Sequence, residues 1–178
     1  EWVCFNMRPV SIVEDEGLQN ILSFLGYPGE TGAPMRKTIN KKIEEAKQKC
    51  LEKLKATFER LRGQFFSKYM SCTMDGWTSQ AKEAFITVTL HFIDEYWDLC
   101  SCPLGVKFWP DKHDAKGLAN GAVALLLESD ATTQDIYAAT HDSCRAQVNC
   151  VEEMGLKGQR CADHSGDLAV TDAITGLP

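Results

Sequence analysis

Two acidic residues are the first candidates for chemistry: Asp75 in the run SCTMDGWTS and Asp142 in the run AATHDSC. Each closes a stretch with strand character. Ser67 to Asp75 alternates, with Tyr69, Ser71, Thr73 and Asp75 on one side and Met70, Cys72 and Met74 on the other, as a strand covered on both faces would. Asp75 is expected at its end, where Gly76 breaks the strand, Trp77 offers an apolar anchor, and Thr78 and Ser79 form a turn. Asp135 to Thr140 reads as a short strand that ends at His141-Asp142. A carboxylate at a rigid strand end suits a hard cation, which needs oxygen ligands that do not wander. Two of them at neighbouring strand ends can hold a pair of divalent cations that activate a water or hydroxyl and stabilise the leaving oxygen in phosphodiester chemistry. An isolated Asp-Gly pair is more often a plain strand stop, so the elements between the two acids decide.

Those elements begin with helices. Ser11 and Glu14 have capping-box spacing ahead of the stripe Leu18, Ile21, Leu22 and Leu25, which Gly26 and Pro28 stop. A loop over Tyr27 to Pro34 leads to a long helix whose Ile39, Ile43, Ala46, Cys50, Leu54, Phe58, Leu61 and Phe65 recur at steps of three or four. Such a helix needs a partner, either the following domain or a second copy of the chain. A second strand follows over Glu83 to Asp94, with Ile86, Val88, Leu90 and Phe92 on one face and Phe85, Thr87, Thr89 and His91 on the other. Asp94-Glu95 turns into a third strand, Tyr96 to Phe108, bent at Pro103 and Gly105. Asp114 or a neighbour caps a helix carrying Leu118, Ala122, Leu125 and Leu126 on one side, with Gly117 and Gly121 allowing a close approach to the sheet.

A three-strand antiparallel meander, a crossover helix and a parallel fourth strand make the start of a ribonuclease-H-like mixed α/β sheet. A right-handed crossover puts the fourth strand beside the first, so Asp75 and Asp142 are expected side by side, 142 − 75 = 67 residues apart. The division expected is a helical segment over 1–66 and a truncated ribonuclease-H-like domain over 67–178.

Composition fits this reading. The 178 residues are 44% hydrophobic and 25% charged, an ordinary globular balance. No run reaches the roughly 18 apolar residues of a membrane span, and Glu1 to Val10 is not a signal peptide, although a leader or upstream domain could precede a chain that does not begin with Met. The eight cysteines show no paired spacing of a zinc site; Cys72 falls in the buried strand and Cys50 on the helical stripe, which favours a reducing compartment over a disulfide framework. Arg36 to Arg62 holds ten Lys/Arg against four Glu, +6, leaving −12 for the rest of a chain with net charge −6. Arg36, Lys37, Lys41, Lys42 and Lys49 are therefore candidates for contact with nucleic acid, against the ordinary alternative of a solvated helix face.

Several runs, in order, carry a family resemblance: RPVSIVEDEG from Arg8, PMRKTINKKI from Pro34, DGWTS from Asp75 and TLHFIDEYWDL from Thr89. LGVKFWPDKHDA from Leu104, THD from Thr140 and the Cys-x-x-His of Cys161 to His164 complete them. Over Arg8 to Val170 the chain resembles the hAT superfamily of DNA transposases, in particular the group with a BED zinc finger upstream. The resemblance implies a ribonuclease-H-like core behind a helical segment used for dimerisation and DNA contact. It also implies Mg or Mn held by Asp75 and Asp142, and a third acid, a Glu, far downstream beyond a large helical insertion and past the end of this chain. His164 falls where it contacts a phosphate or metal-bound water, or sits as a satisfied polar residue at the sheet edge. Two motifs depart from the family: HDSCRAQ follows Thr140 where an Asn-containing run is usual, and DHSGDL, Asp163 to Leu168, has Gly166 where a core Leu is expected.

Asp163, Asp167, Glu152 and Glu153 are the local acids that could replace the missing one, and Cys161 with His164 lacks the second pair a zinc site needs. His113 reads as a helix-entry residue, and Trp77, Trp97 and Trp109 as core anchors. Three functions remain. One is a catalytically incomplete, domesticated transposase domain that binds DNA or a protein, needs no metal and is nuclear or cytoplasmic. Another is a fragment of a metal-dependent transposase that cleaves and transfers DNA strands. The third is a secreted or recruited effector that uses the fold as a scaffold.

Overall fold

The computed structural model describes residues 9–27, 35–64, 68–109 and 114–176, without the Trp109 side chain. His113 and Phe65 therefore lie outside the described residues. The chain divides into two compact units, Glu1–Lys53 and Leu54–Pro178.

In the first unit a 3-10 turn, Val10–Glu14, leads into helix α1, Glu16–Phe24. Ser11 lies inside that turn, and the cap is instead Asp15, whose Oδ1 accepts the Leu18 N–H at 3.1 Å. Gly26, at φ +71°, ends α1: its N–H donates to Ser23 O and the Tyr27 N–H to Leu22 O, the paired bonds that close a helix through a left-handed residue. Helix α2, Arg36–Gln64, follows and runs through the boundary. Its apolar stripe is buried only at Phe58 and Leu61, in the second unit. Ile39 and Ile43 are half-buried, while Ala46 and Cys50 are exposed, so Cys50 is not a core residue.

The second unit is built on five strands: β1 Met70–Thr78, β2 Ala84–Ile93, β3 Leu99–Trp109, β4 Ile136–His141 and β5 Lys157–Arg160. Their order is β3-β2-β1-β4-β5. The first three pair antiparallel and β4 pairs parallel with β1, the meander and crossover expected. β5 adds a further parallel strand whose residues are all exposed. β1 does not stop at Gly76, because β2 continues as its partner: Gly76 pairs with Ile86 and Trp77 with Phe85. Between β2 and β3 the register slips at Val88/Thr89, opposite Gly105 at φ +140° and Pro103.

The strand alternation sorts one face into the core: Met70, Cys72, Met74, Ile86, Val88, Leu90 and Phe92 are all buried. Crossover helix α3, Ala115–Glu128, capped by Asp114 through the Gly117 N–H at 2.8 Å, lays Leu118, Ala122, Leu125 and Leu126 against it. Helix α4, Arg145–Glu153, adds Cys150 and Val151, and Phe58 of α2 meets Phe92 edge to face at 5.5 Å. The opposite face of β1 is only half-buried, not covered as its alternation suggested, and the more polar face of β2 beside it is half-buried too. Helix α5, Ala162–Thr175, buries none of its residues, and a side chain at Gly166 would meet open space.

One ionic clamp fixes the start of β4. The Arg62 guanidinium donates from Nε and Nη2 to the two carboxylate oxygens of Asp135, at 3.1 and 3.0 Å, and from Nη1 to Asp130 at 3.0 Å. Asp135 also accepts the Thr132 N–H and hydroxyl, at 2.8 and 2.9 Å. The bond to Asp135 holds Arg62 more firmly protonated than usual, and burial near that pair pushes the Tyr69 phenol up to about 12. Among the described residues no helix is long and apolar enough to cross a membrane.

Candidate functional site

The parallel pairing of β1 with β4 runs to Thr73↔Thr140. Asp75 lies two residues beyond Thr73 and Asp142 two beyond Thr140, so both backbones reach the same level of the sheet on adjacent central strands. Both acids line one cleft of about 560 Å³, together with Thr73, Thr87, Thr89 and Thr140 from the half-buried face and Cys161, Asp163, His164 and Asp167 from the start of α5. Asp75 is thus not at its strand's end but inside β1, opposite Thr87, at the point where β4 has run out.

Asp142 is positioned from both sides. Its N–H donates to the buried Gln147 side chain at 3.3 Å, while its carbonyl accepts from Nδ1–H of the buried His141 ring. That ring leans on β5, where a Cβ on Gly158 would meet His141 Nε2 at 2.8 Å, so only glycine fits there. The Cys161 N–H closes the corner on His141 O at 2.8 Å. Each carboxylate also accepts one local backbone N–H, Asp75 from Gly76 at 2.8 Å and Asp142 from Cys144 at 2.9 Å.

The remaining candidates fall as follows. His164, half-buried, joins the cleft, and so do Asp163 and Asp167, whereas Glu152 and Glu153 are exposed on α4 and line no part of it. The threonine hydroxyls on the floor are part of the site that sequence reading passed over; the alternation of Thr87 and Thr89 with Val88 and Leu90 was the available signal. Next to them His91 joins three strands, hydrogen-bonding Thr73 Oγ1 through Nε2 at 3.1 Å and Ser101 Oγ through Nδ1 at 2.9 Å. Trp77 is not a core anchor: it is 41% exposed and stacks on Phe85 at 5.6 Å. Trp97 is 86% exposed.

Two sheet carboxylates are hard oxygen donors of the kind Mg or Mn takes. Yet among the described residues no three His, Cys, Asp or Glu side chains converge to hold an ion. The other two acids come from α5, which has no buried residue to fix it. Four carboxylates and no Lys or Arg stand among the cleft's lining residues, which gives it a negative field.

The basic candidates belong to the first unit. Arg36, Lys37, Lys41, Lys42 and Lys49 are all exposed on α2. Arg36 pairs with Glu14, and Lys41 and Lys42 with Glu45 at 3.9 and 3.2 Å. The Lys42 bond, with the charges of Lys42, Lys41 and Lys49, holds the Glu45 carboxyl below its ordinary range. The seven described cysteines form no disulfide.

The sequence matches the model of the ZBED1 RNase-like domain over residues 73–168, that is 96 of 178 residues, from β1 into α5. It is 26% identical over 148 residues, 82% of this chain, to a Zea mays protein designated AC transposase, of whose length it spans 17%. It is equally 26% identical over 148 residues to one designated AC9 transposase, of whose length it spans 16%. The five-strand mixed sheet and the extent of the match agree: the chain belongs to the ZBED1 RNase-like domain family and is related to the hAT transposases.

Proposed function

We infer that the chain is a transposase-derived domain that lacks catalytic competence on its own and binds DNA through the basic first half of α2. The incompleteness rests on one observation, the absence of a third converging metal ligand beside Asp75 and Asp142 among the described residues. DNA contact rests on the exposed Lys and Arg of α2, which can release counterions from a duplex as an acidic cleft cannot.

Neutralising Lys41, Lys42 and Lys49 together to Gln keeps helix propensity and removes three charges. The slope of log Kobs against log salt for duplex binding should then become shallower by about 2.7, from roughly 0.9 per phosphate contact. A slope and affinity that do not change remove α2 from the interface. Supercoiled plasmid incubated with the chain and Mg or Mn should stay uncut.

A second reading has its own support in the equal offset of Asp75 and Asp142 beyond the last β1–β4 pair. In it the chain is part of a metal-dependent transposase, and a third acid from outside the chain completes the centre. Nicking that appears when such a segment is supplied, and vanishes in Asp75→Ala, would replace the first reading with this one.

A further inference from the structure

The turn between β2 and β3, Asp94 to Asp98, contributes nothing to the cleft, yet it is closely tied by hydrogen bonds of its own. Asp94 Oδ1 accepts the N–H groups of Tyr96 and Asp98 at 2.9 and 3.0 Å. Its carbonyl accepts the Trp97 N–H at 3.2 Å, and its own N–H donates to Asp98 O at 3.0 Å. Glu95 is ion-paired to Arg60 of α2, so the tip is also fastened from the side.

This rigid tip holds two aromatic rings in water. Tyr96 is 77% exposed and Trp97 86%, with Ile93 and Leu99 exposed beneath them. Trp97 stands at φ +67°, in the left-handed region that a bulky residue occupies only at a steric cost and that Gly or Asn would fill readily. The fold gains little burial from that indole and bears its strain, which points to a role outside the monomer's own packing.

The chemistry around the rings selects the partner. Three acids share the turn with them: the Asp94 carboxylate is taken by the Tyr96 and Asp98 N–H groups and the Cys100 thiol, Arg60 engages Glu95, and Lys68 lines the adjoining groove, which leaves Asp98 as the available charge. The Asp98 side chain is exposed beside Trp97. Exposed aromatic faces beside carboxylates attract a cationic side chain, through the ring quadrupole and through an ion pair, and the groove wall of Leu61 and Ile93 suits its aliphatic stem. The same carboxylates repel nucleic acid. We propose that the Asp94–Asp98 tip is a docking surface for a lysine- and arginine-rich segment of a partner protein, which stacks a cation on Trp97 and pairs with Asp98.

The test uses the full chain and two short fluorescein-labelled peptides, one of Lys, Arg and Gly and one with Glu in place of the basic residues, read by anisotropy. The basic peptide should bind in a salt-sensitive way and the acidic one should not. Trp97→Gly should weaken binding by about tenfold, as should Asp98→Lys. Because glycine accepts φ +67° without strain, Trp97→Gly should melt no lower than the parent, whereas a purely structural Trp97 requires it to melt lower. Equal affinity for both peptides, unchanged binding in Trp97→Gly, or a self-association in sedimentation that Trp97→Gly abolishes would each overturn the assignment.

Discussion

Replacing Arg62 with Met tests whether the clamp at the start of β4 sets the stability of the ribonuclease-H-like unit. Met keeps the aliphatic stem and removes two charge-assisted hydrogen bonds to Asp135, a residue only 7% exposed, along with the bonds to the carboxylate and carbonyl of Asp130. Asp135 retains the Thr132 N–H and hydroxyl, so its carboxylate is not stripped of partners. Breaking a buried pair costs about 3–5 kcal/mol; with those partners kept and the Arg62 side chain one-third exposed, we expect about 2–3 kcal/mol. At roughly 3–4 °C per kcal/mol for a unit of this size, the melting temperature should fall by about 10 °C.

The pH dependence follows from Asp135. Burial pushes its carboxyl up, but the hydrogen bonds from Arg62 and Thr132 outweigh burial and hold it below the usual range. A depressed folded-state value means the contribution is present above the unfolded value of about 3.9 and is lost as pH falls through the folded one. The gap between parent and Arg62→Met should therefore be full at neutral pH and narrow in acid. Urea denaturation of Arg62→Met, Asp135→Asn and the double variant, followed by circular dichroism, gives the coupling, expected to be at least about 1.5 kcal/mol. Additive single effects, or a gap that widens in acid, would refute the clamp.

Gly158→Ala should cost about 1–3 kcal/mol, since the new Cβ meets His141 Nε2 at 2.8 Å and the ring can yield only by moving Asp142; an undiminished melting temperature would show that β5 gives way instead. Burial pushes the Cys72 thiol up to about 12 and Cys150 to about 11, so neither should react with an aromatic disulfide reagent at neutral pH until the unit unfolds, whereas exposed Cys50 should react at once.

The sheet was readable because its signals are local or topological. Ile86, Val88, Leu90 and Phe92 alternate strictly, Asp114 has an N-cap's position, and the handedness of crossovers brings β4 to β1 without any further information. What was misread depends on partners that no local pattern names. Ser11 and Glu14 have the spacing of a capping box, but the 3-10 turn absorbs both and leaves the cap to Asp15. Gly76 looks like a break and is carried in β1 by Ile86 across the ladder. The stripe of α2 has helical period throughout, yet Cys50 is exposed while Phe58 has a sheet to meet. β5 reads Lys-Gly-Gln-Arg, with no hydrophobic pattern to find. In the cleft the two acids followed from connectivity, but its threonine floor belongs to a face whose partial cover only the fold reveals.

The irregular margin of the sheet has a practical corollary. β3 is an outermost strand bearing solvent-facing Leu99, Val106 and Phe108, a composition that invites recruitment of further chains into fibrils. Pro103 withholds a donor midway along it, and Gly105 swings the backbone off the straight line an incoming strand would need. Straightening this greasy rim, with valine at both positions, should therefore raise the tendency to form fibrils at high concentration, read by thioflavin fluorescence against the parent.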